Sequence, residues 1–283
     1  MKQLPSEATT PPCTLASAVA RLGFETIDSC ELEKERRIRS LQKVLNQTPA
    51  HQKRYKRIAR LMAQLAGCRK GERCGGSACP VCRRNDRKKC ISSLVAEYDD
   101  PDAASRLSFV TLLRQEWEFP AGKLHLCKPR TITDRLRKQL QRMEFRRPIF
   151  GGVDLSFDPD RKVWMVHLHL VVDGLTKEVE GKLRQLYPAS EHIRKPVVVK
   201  SVDYTYGAFS YAIKSFPNCR PSYTDKQGRA NTPGKRRRVP EPHHTEFLLW
   251  VARFPIGDLK MVRGWKLVDG TISRRSLAEH DQP

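Results

Sequence analysis

The sequence predicts an α+β fold in which helices cover one face of a sheet. Strand-like runs rich in β-branched and aromatic residues occur at 107–113, 153–157, 163–172 and 197–202. Apolar residues recur at helical spacing at 131–146, 176–187, 206–216 and 241–253. The turn Asp158-Pro159-Asp160 joins two of the runs into an antiparallel hairpin. Because strands and helices alternate with short connections, we expect one packed sheet.

The N-terminal third and the C-terminal end do not share this pattern. Residues 1–27 are rich in Thr, Pro and Ser and predict a partly disordered leader, and a surface helix is expected from Cys30 to about Leu45. Residues 51–90 contain 13 Lys and Arg against only Glu72 and Asp86. These shifts divide the chain into four parts: a leader with surface helix (1–50), a basic cysteine-rich segment (51–92), the α+β domain (105–268) and a tail (269–283).

The charge of the chain calls for a polyanionic partner. The 283 residues contain 53 Lys and Arg against 31 Asp and Glu, a net charge of +22. DNA is the first candidate, because each phosphate that a cation neutralises releases a condensed counterion. A membrane is not expected as a partner, since no apolar run approaches the ~20 residues of a spanning helix and no signal-peptide core is visible near the start.

Four of the nine cysteines predict a structural zinc site. Cys68, Cys74, Cys79 and Cys82 fall within 15 residues, a pattern that suits a reduced compartment such as the cytoplasm better than a disulfide framework. Zinc takes four thiolates tetrahedrally, and Cys79-Pro80-Val81-Cys82 has the spacing of a common half-site. The alternative is four cysteines without a metal. Cys13, Cys30, Cys90, Cys127 and Cys219 are interpreted as ordinary thiols.

Two histidines on the most apolar strand predict a second metal site. His167 and His169 lie two residues apart, so their side chains leave the same face of the strand. Asp154 is the only carboxylate of the preceding strand at 153–157, and the hairpin can bring it beside the histidines as an oxygen ligand for Mg²⁺ or Mn²⁺. The alternatives are two core histidines that hydrogen-bond to the backbone and a solvent-exposed strand-end aspartate.

Three ordered motifs resemble those of HUH endonucleases, most closely the rolling-circle replication initiators of small plasmids. The motifs are Phe109-Val110-Thr111-Leu112-Leu113, His167-Leu168-His169 and Tyr211-Ala212-Ile213-Lys214. The cysteine cluster and the 241–267 region are similar to segments of one plasmid initiator family. The likeness covers about residues 66–268. It departs from that family at Leu113, where threonine is usual, and at Asp154, where glutamate is the commoner ligand.

The resemblance implies a ferredoxin- or RRM-like nuclease fold and a catalytic tyrosine. Tyr211 would attack a DNA phosphate, become linked to the 5′ phosphate and free a 3′ hydroxyl, with Lys214 assisting and the cation polarising the phosphate. Tyr204 is the fallback nucleophile. No phosphate-binding Gly-x4-Gly-Lys-Ser/Thr loop is present in the sequence, so a host helicase and polymerase would be partners. Oligomerisation is left open.

The sequence is also compatible with two other functions. A rolling-circle transposase shares the chemistry but commonly carries a second tyrosine one turn later, where this chain has Ser215. A zinc-dependent DNA-binding regulator would need no catalysis. Basic side chains that we expect to contact DNA are Arg83, Arg84, Arg87, Lys88, Lys235, Arg236, Arg237 and Arg238.

Overall fold

The structure is a computed structural model that describes residues 25–214, 216–219, 223–224, 230–231 and 237–274. The described helices are α1 (Ile27–Asn46), α2 (Lys53–Ala66), α3 (Pro80–Glu97), α4 (Pro101–Ser105), α5 (Pro129–Arg142), α6 (Lys177–Leu186), α7 (Thr205–Ala212) and α8 (His243–Val251). Short 3-10 turns occur at Leu124–Leu126 and Ile256–Leu259. None of the helices in these ranges has the length and apolar composition needed to cross a membrane.

The described strands form one central sheet and two small hairpins. They are β1 (Leu107–Pro120), β2 (Ile149–Asp158), β3 (Val163–Asp173), β4 (Val197–Ser201), β5 (Asn218–Cys219), β6 (Tyr223–Thr224), β7 (Ala230–Asn231), β8 (Lys260–Arg263), β9 (Trp265–Val268) and β10 (Thr271–Arg274). The central sheet runs β4-β1-β3-β2, and both β5 and β8 pair with the free edge of β2. Since β5 is parallel to β2 and the other pairs are antiparallel, the sheet is mixed.

The predicted α+β class and the β2–β3 hairpin are confirmed. Ten consecutive residue pairs join the two strands without a bulge, from Ile149↔Val172 to Asp158↔Val163. A regular ladder of this kind follows from the short turn after Asp158 and from the burial of both strands, which fixes their register. The register therefore fixes which side chains of β2 and β3 share a face.

Helices cover both faces of the sheet, so the prediction of one covered face is wrong. Alternate β3 residues from Trp164 to Val172 face a large core that also contains apolar side chains of α5, α6 and α8. The opposite face carries Val171 and Phe150 and is covered by α7 and the second half of α3. The sequence misled because β3 is apolar on both faces, and such a strand must be covered on both.

The basic cysteine-rich segment is mostly helical and packs against the larger of the two apolar cores, the one that also contains α5, α6 and α8. Its α2 places Ile58, Leu61 and Leu65 in the large core, together with three of the clustered cysteines. The expected surface helix extends over Ile27–Asn46 and buries one side, including Leu41. Further along, β8 adds a strand to the central sheet, and β10, at the start of the segment predicted as a tail (269–283), pairs with β9.

Candidate active site and cysteine cluster

The face of the sheet beneath α7 carries the three predicted ligands of the catalytic metal. Asp154 of β2 lies directly opposite His167 of β3. His169 lies opposite Gly152, two residue pairs further along the same two strands. The ligand atoms of Asp154, His167 and His169 all lie within 4.8 Å of one another. All three side chains are buried, at 7%, 6% and 4% exposure respectively. The structure thus brings together the residues that the hairpin was expected to place side by side.

Two hydroxyl groups orient the histidine rings. Thr111 of β1 pairs with His169 across the sheet, and its Oγ1 lies 3.0 Å from His169 Nδ1. Ser156 of β2 lies 2.9 Å, through its Oγ, from His167 Nε2. Hydrogen bonds of this kind fix the ring orientation of metal-binding histidines. The sequence analysis did not identify either residue as part of the site. The signal was available, because Ser156 lies two residues after Asp154 on β2 and therefore on the same face of the sheet.

The residues fit a divalent cation. Asp154 Oδ2 and His169 Nε2 are buried and lie 3.3 Å apart, and Lys214 Nζ lies 2.5 Å from the same carboxylate oxygen. A buried carboxylate is costly unless a cation is paired with it, and a divalent ion could bind where the carboxylate and the two imidazoles converge. One carboxylate with two imidazoles is also a donor set that suits Mn²⁺ and related ions.

Lys214 contributes an ammonium group to the same site. Its Nζ lies 2.5 Å from Asp154 Oδ2. Burial alone would raise the pKa of the Asp154 carboxyl, but Lys214, His169 and His167 together hold that pKa well below its ordinary value. Asp154 is therefore ionised at neutral pH, which a metal ligand requires.

Tyr211 lies beside these groups at the end of α7. Its ring packs edge-on against His169, with 5.0 Å between centroids, and against Phe109 at 5.7 Å. Lys214 Nζ lies 4.9 Å from the centre of the tyrosine ring. The helix expected at 206–216 ends at Ala212, so Lys214 belongs to the following turn rather than to the helix face of Tyr211. Tyr204, the fallback nucleophile, is 41% exposed.

Gly152 allows the backbone at Leu259 to come close to the histidine face of the sheet. A Cβ at this position would lie 2.7 Å from the carbonyl oxygen of Leu259, which is a clash, and 3.6 Å from that of Ala212 in α7, which is an ordinary contact. A side chain there would therefore displace the chain at Leu259. The Gly151-Gly152 pair in an otherwise apolar strand was the sequence signal for such a close backbone approach.

Two arginines expected to contact DNA are instead internal supports of the site, and those two expectations are wrong. Arg83 is 7% exposed and its Nη2 donates to the carbonyl of Lys214 at 3.2 Å. Arg87 is 4% exposed and its Nη2 donates to the carbonyl and the hydroxyl of Ser210, at 2.9 and 3.0 Å. The two guanidinium groups donate to backbone carbonyls before and after Tyr211 in the chain. Because both groups are buried, neither is available to contact DNA at the surface.

The other basic residues of that prediction are closer to the surface. Lys88, Arg237 and Arg238 are exposed, and Arg238 forms an ion pair with Glu33. Arg84 is half-buried and donates to the carbonyl of Glu25. Lys235 and Arg236 lie outside the described residues. Of the six that the structure describes, Lys88 and Arg237 are exposed and have no ion pair, as a phosphate contact requires.

The four clustered cysteines have the spacing of a tetrahedral thiolate site. Cys68 Sγ lies 3.7 Å from Cys82 and 3.6 Å from Cys79, and Cys74 lies 3.6 Å from Cys82. With Zn–S bonds of about 2.3 Å, the sulfurs of a tetrahedral site are about 3.8 Å apart. Cys79 caps the start of α3 and Cys82 lies in its first turn. The cluster could therefore hold a metal ion such as zinc with all four positions filled by protein.

Two thiols of the cluster, Cys74 and Cys79, have raised pKa values in the absence of a cation. The pKa of Cys79 is raised by the neighbouring Cys82 and by burial, and burial raises the pKa of Cys74 to about 11. A divalent ion reverses this, since a coordinated thiol is deprotonated. Cys30, Cys90, Cys127 and Cys219 are buried free thiols apart from the cluster, as expected, and Cys13 lies outside the described residues.

Comparisons with protein-family models, with curated proteins and with solved structures found no match to this chain.

Proposed function

We propose that this protein is a metal-dependent DNA endonuclease and strand transferase of the HUH type that acts as a rolling-circle replication initiator. The observation that carries the proposal is the convergence of Asp154, His167, His169, Tyr211 and Lys214 on one buried face of the sheet. A net charge of +22 supports a nucleic-acid substrate. The motif order supports the HUH class, with its ferredoxin- or RRM-like fold.

Asp154, His167 and His169 would hold a divalent cation, whose Lewis acidity would polarise the scissile phosphate. Thr111 and Ser156 keep the imidazoles aligned. Tyr211 Oη attacks phosphorus and forms an O–P bond while the P–O3′ bond breaks. The phenolic proton passes to solvent, and the departing O3′ takes a proton from solvent. The products are a 5′-phosphotyrosine and a free 3′ hydroxyl, and attack by a 3′ hydroxyl on the phosphotyrosine reseals the strand without ATP.

Lys214 has two roles in this scheme. Without a cation its ammonium neutralises Asp154, which keeps the buried carboxylate paired. With a cation bound to that carboxylate, the ammonium would be available to stabilise the negative charge that develops on the phenolate or the phosphate, because it lies 4.9 Å from the centre of the Tyr211 ring.

The cysteine cluster is proposed as the structural zinc site. All four ligands come from the protein, so no position remains for substrate, which is typical of structural zinc. The cluster lies at the start of α3, whose Arg83 and Arg87 hold the backbone around Tyr211. Zinc binding would thus stabilise the support of the catalytic tyrosine.

A zinc-dependent DNA-binding regulator without catalysis is the second candidate. The observation in its favour is the Lys214–Asp154 ion pair, which satisfies the carboxylate without a metal. A rolling-circle transposase stays a same-chemistry alternative that the geometry does not separate from an initiator.

Incubation with supercoiled plasmid and Mn²⁺ separates catalysis from binding. The proposal predicts relaxed circles together with a covalent protein–DNA adduct that survives denaturing electrophoresis. Asp154→Asn is the matched control, since it keeps the side-chain shape and removes the anionic ligand. A protein that shifts the plasmid in a gel yet leaves it supercoiled and free of adduct would be a regulator.

A further inference from the structure

A pocket outside the candidate active site lies between α1 and the chain around β5. Its volume is about 410 Å³, within the range of small-ligand sites. The lining includes Arg36, Arg37, Phe216, Asn218 and Arg237. None of these belongs to the five residues of the proposed catalytic site.

Two buried N–H donors of the pocket lack an acceptor within the described residues. Arg37 is 1% exposed; its Nε donates to Glu33 and its Nη1 to the carbonyl of Ala78, but its Nη2 makes no hydrogen bond. Asn218 Nδ2 is likewise enclosed and makes none. Buried donors are nearly always paired in folded proteins. Both residues line the pocket, so each offers an unused donor next to a ligand that brings acceptor oxygens into it.

The charge of the lining favours an anionic ligand. Four arginines (Arg36, Arg37, Arg237 and Arg238) face two carboxylates, Glu33 and Glu241. Both carboxylates already have partners: Glu33 pairs with Arg37 and Arg238, and Glu241 accepts from Ser40 and from the backbone of Thr245. A phosphate group combines several acceptor oxygens with negative charge and matches arginine geometry.

The sheet register places this pocket next to the candidate active site. Asn218 of β5 pairs with Ser156 of β2, and Ser156 Oγ contacts His167 Nε2. Phe216 follows Lys214 by two residues, and the Arg37 guanidinium lies over its ring, 5.2 Å from the centroid. An aromatic wall beside arginines is the usual arrangement for one nucleotide of a single strand, with its base stacked and its phosphate held.

We propose that this pocket binds a backbone phosphate, with its nucleotide, of the single DNA strand that flanks the scissile position. Arg37 Nη2 and Asn218 Nδ2 donate to the phosphate oxygens, while Arg36 and Arg237 supply further positive charge. The identity of the ligand as the DNA strand next to the cleavage position rests on the proposed function. The binding of a phosphodiester by these residues does not depend on cleavage.

The test is the binding of a fluorescein-labelled dT15 oligonucleotide, measured by anisotropy over a series of salt concentrations without added divalent ion. Asn218→Asp replaces a donor with an anion, and we expect the Kd to rise roughly tenfold. Arg36→Ala should make the dependence of log K on log salt shallower by about 0.7, the value for one phosphate contact to a single strand. Arg37 is avoided because its other bonds support α1.

Arg39→Ala is the matched control, since Arg39 lies one turn further along α1, is 66% exposed and does not line the pocket. It should leave Kd and slope near those of the parent protein. Equal behaviour of Arg36→Ala, Asn218→Asp and Arg39→Ala would overturn the proposal. Thermal melting of every variant shows whether a change in binding reflects loss of fold.

Two further arms identify the ligand and separate this inference from the proposed function. If inorganic phosphate raises the melting temperature of the parent but not of Asn218→Asp, while dT15 binding is equal in both, the pocket takes free phosphate and the strand proposal is wrong. If the variants lose dT15 binding as expected although no protein nicks plasmid with Mn²⁺, the pocket stands and the endonuclease proposal fails.

Discussion

The two candidate metal sites of this protein differ in how their ligands are satisfied without a metal. The four cysteines converge with sulfur separations of 3.6–3.7 Å and rely on one another. The site of Asp154, His167 and His169 has three ligands, and a cation already lies next to it in the form of Lys214. The first arrangement offers four protein ligands, whereas the second offers three and has the Tyr211 ring packed beside His169.

On the proposed function, this difference separates a role in folding at the cysteine cluster from a role in catalysis at the histidine site. A closed thiolate site binds its ion tightly and contributes that binding energy to folding. A three-ligand site with a competing lysine binds its ion more weakly and leaves coordination positions for a substrate oxygen. We therefore expect substitution of a ligand residue to have different effects at the two sites. At the cysteine cluster it should lower the stability of the fold, and at the histidine site it should lower metal affinity and cleavage.

The largest effect is expected for Cys79→Ser. The variant should lose its zinc and, with it, the cooperative unfolding transition, because structural zinc supplies a large part of the folding free energy of small zinc-binding units. Metal analysis and thermal unfolding measure both quantities. Cys127→Ser is the control, since Cys127 is equally buried but lies outside the cluster. A parent protein purified without zinc would contradict the assignment.

A smaller effect on stability is expected for Asp154→Asn. In the absence of divalent ions the substitution leaves the Lys214 ammonium without its carboxylate, and loss of one partner from a buried pair costs about 3–5 kcal/mol. Urea unfolding measures the change. The double variant Asp154→Asn, Lys214→Met removes both charges and should recover much of the loss. An Asp154→Asn variant as stable as the parent would show that the pair contributes little.

The same carboxylate predicts a pH dependence. Because the folded-state pKa of Asp154 lies below its ordinary value of about 3.9, its contribution to stability is present above that pH and is lost as the pH falls through the folded-state pKa. The Asn variant should therefore lose less stability on acidification than the parent does. Acid titrations of both proteins followed by circular dichroism test this, and parallel curves would contradict it.

The ligands of the histidine site could be predicted from the sequence, whereas the residues that support them and one strand of the sheet could not. The strand alternation of His167 and His169 and the hairpin to Asp154 follow from local pattern, so these three residues were found. The internal roles of Arg83 and Arg87 were not, because arginine is seldom buried and a basic run indicates a solvated surface. Strand β8 was missed because a four-residue strand is defined by a distant partner rather than by its own sequence.

A still smaller effect is expected for Thr111→Val, which removes the hydroxyl next to His169 Nδ1 while nearly conserving shape. Loss of such an orienting hydrogen bond should weaken divalent-ion affinity at the histidine site by about 10- to 100-fold. The zinc content should stay the same, which distinguishes the two sites within one protein. Thr133→Val is the control, because Thr133 is a buried threonine on α5 and does not contact the histidines. Equal Mn²⁺ affinity of both variants would exclude an orienting role for Thr111.

The most direct measurement is mass-spectrometric mapping of the peptide that carries DNA after reaction of the parent protein with Mn²⁺ and supercoiled plasmid. We predict one modified peptide, with a nucleotide mass on Tyr211, and no adduct in Tyr211→Phe, while Tyr204→Phe reacts like the parent. A nucleotide on Tyr204, or complete plasmid cleavage by Tyr211→Phe, would contradict the assignment of the nucleophile and with it the proposed catalytic site.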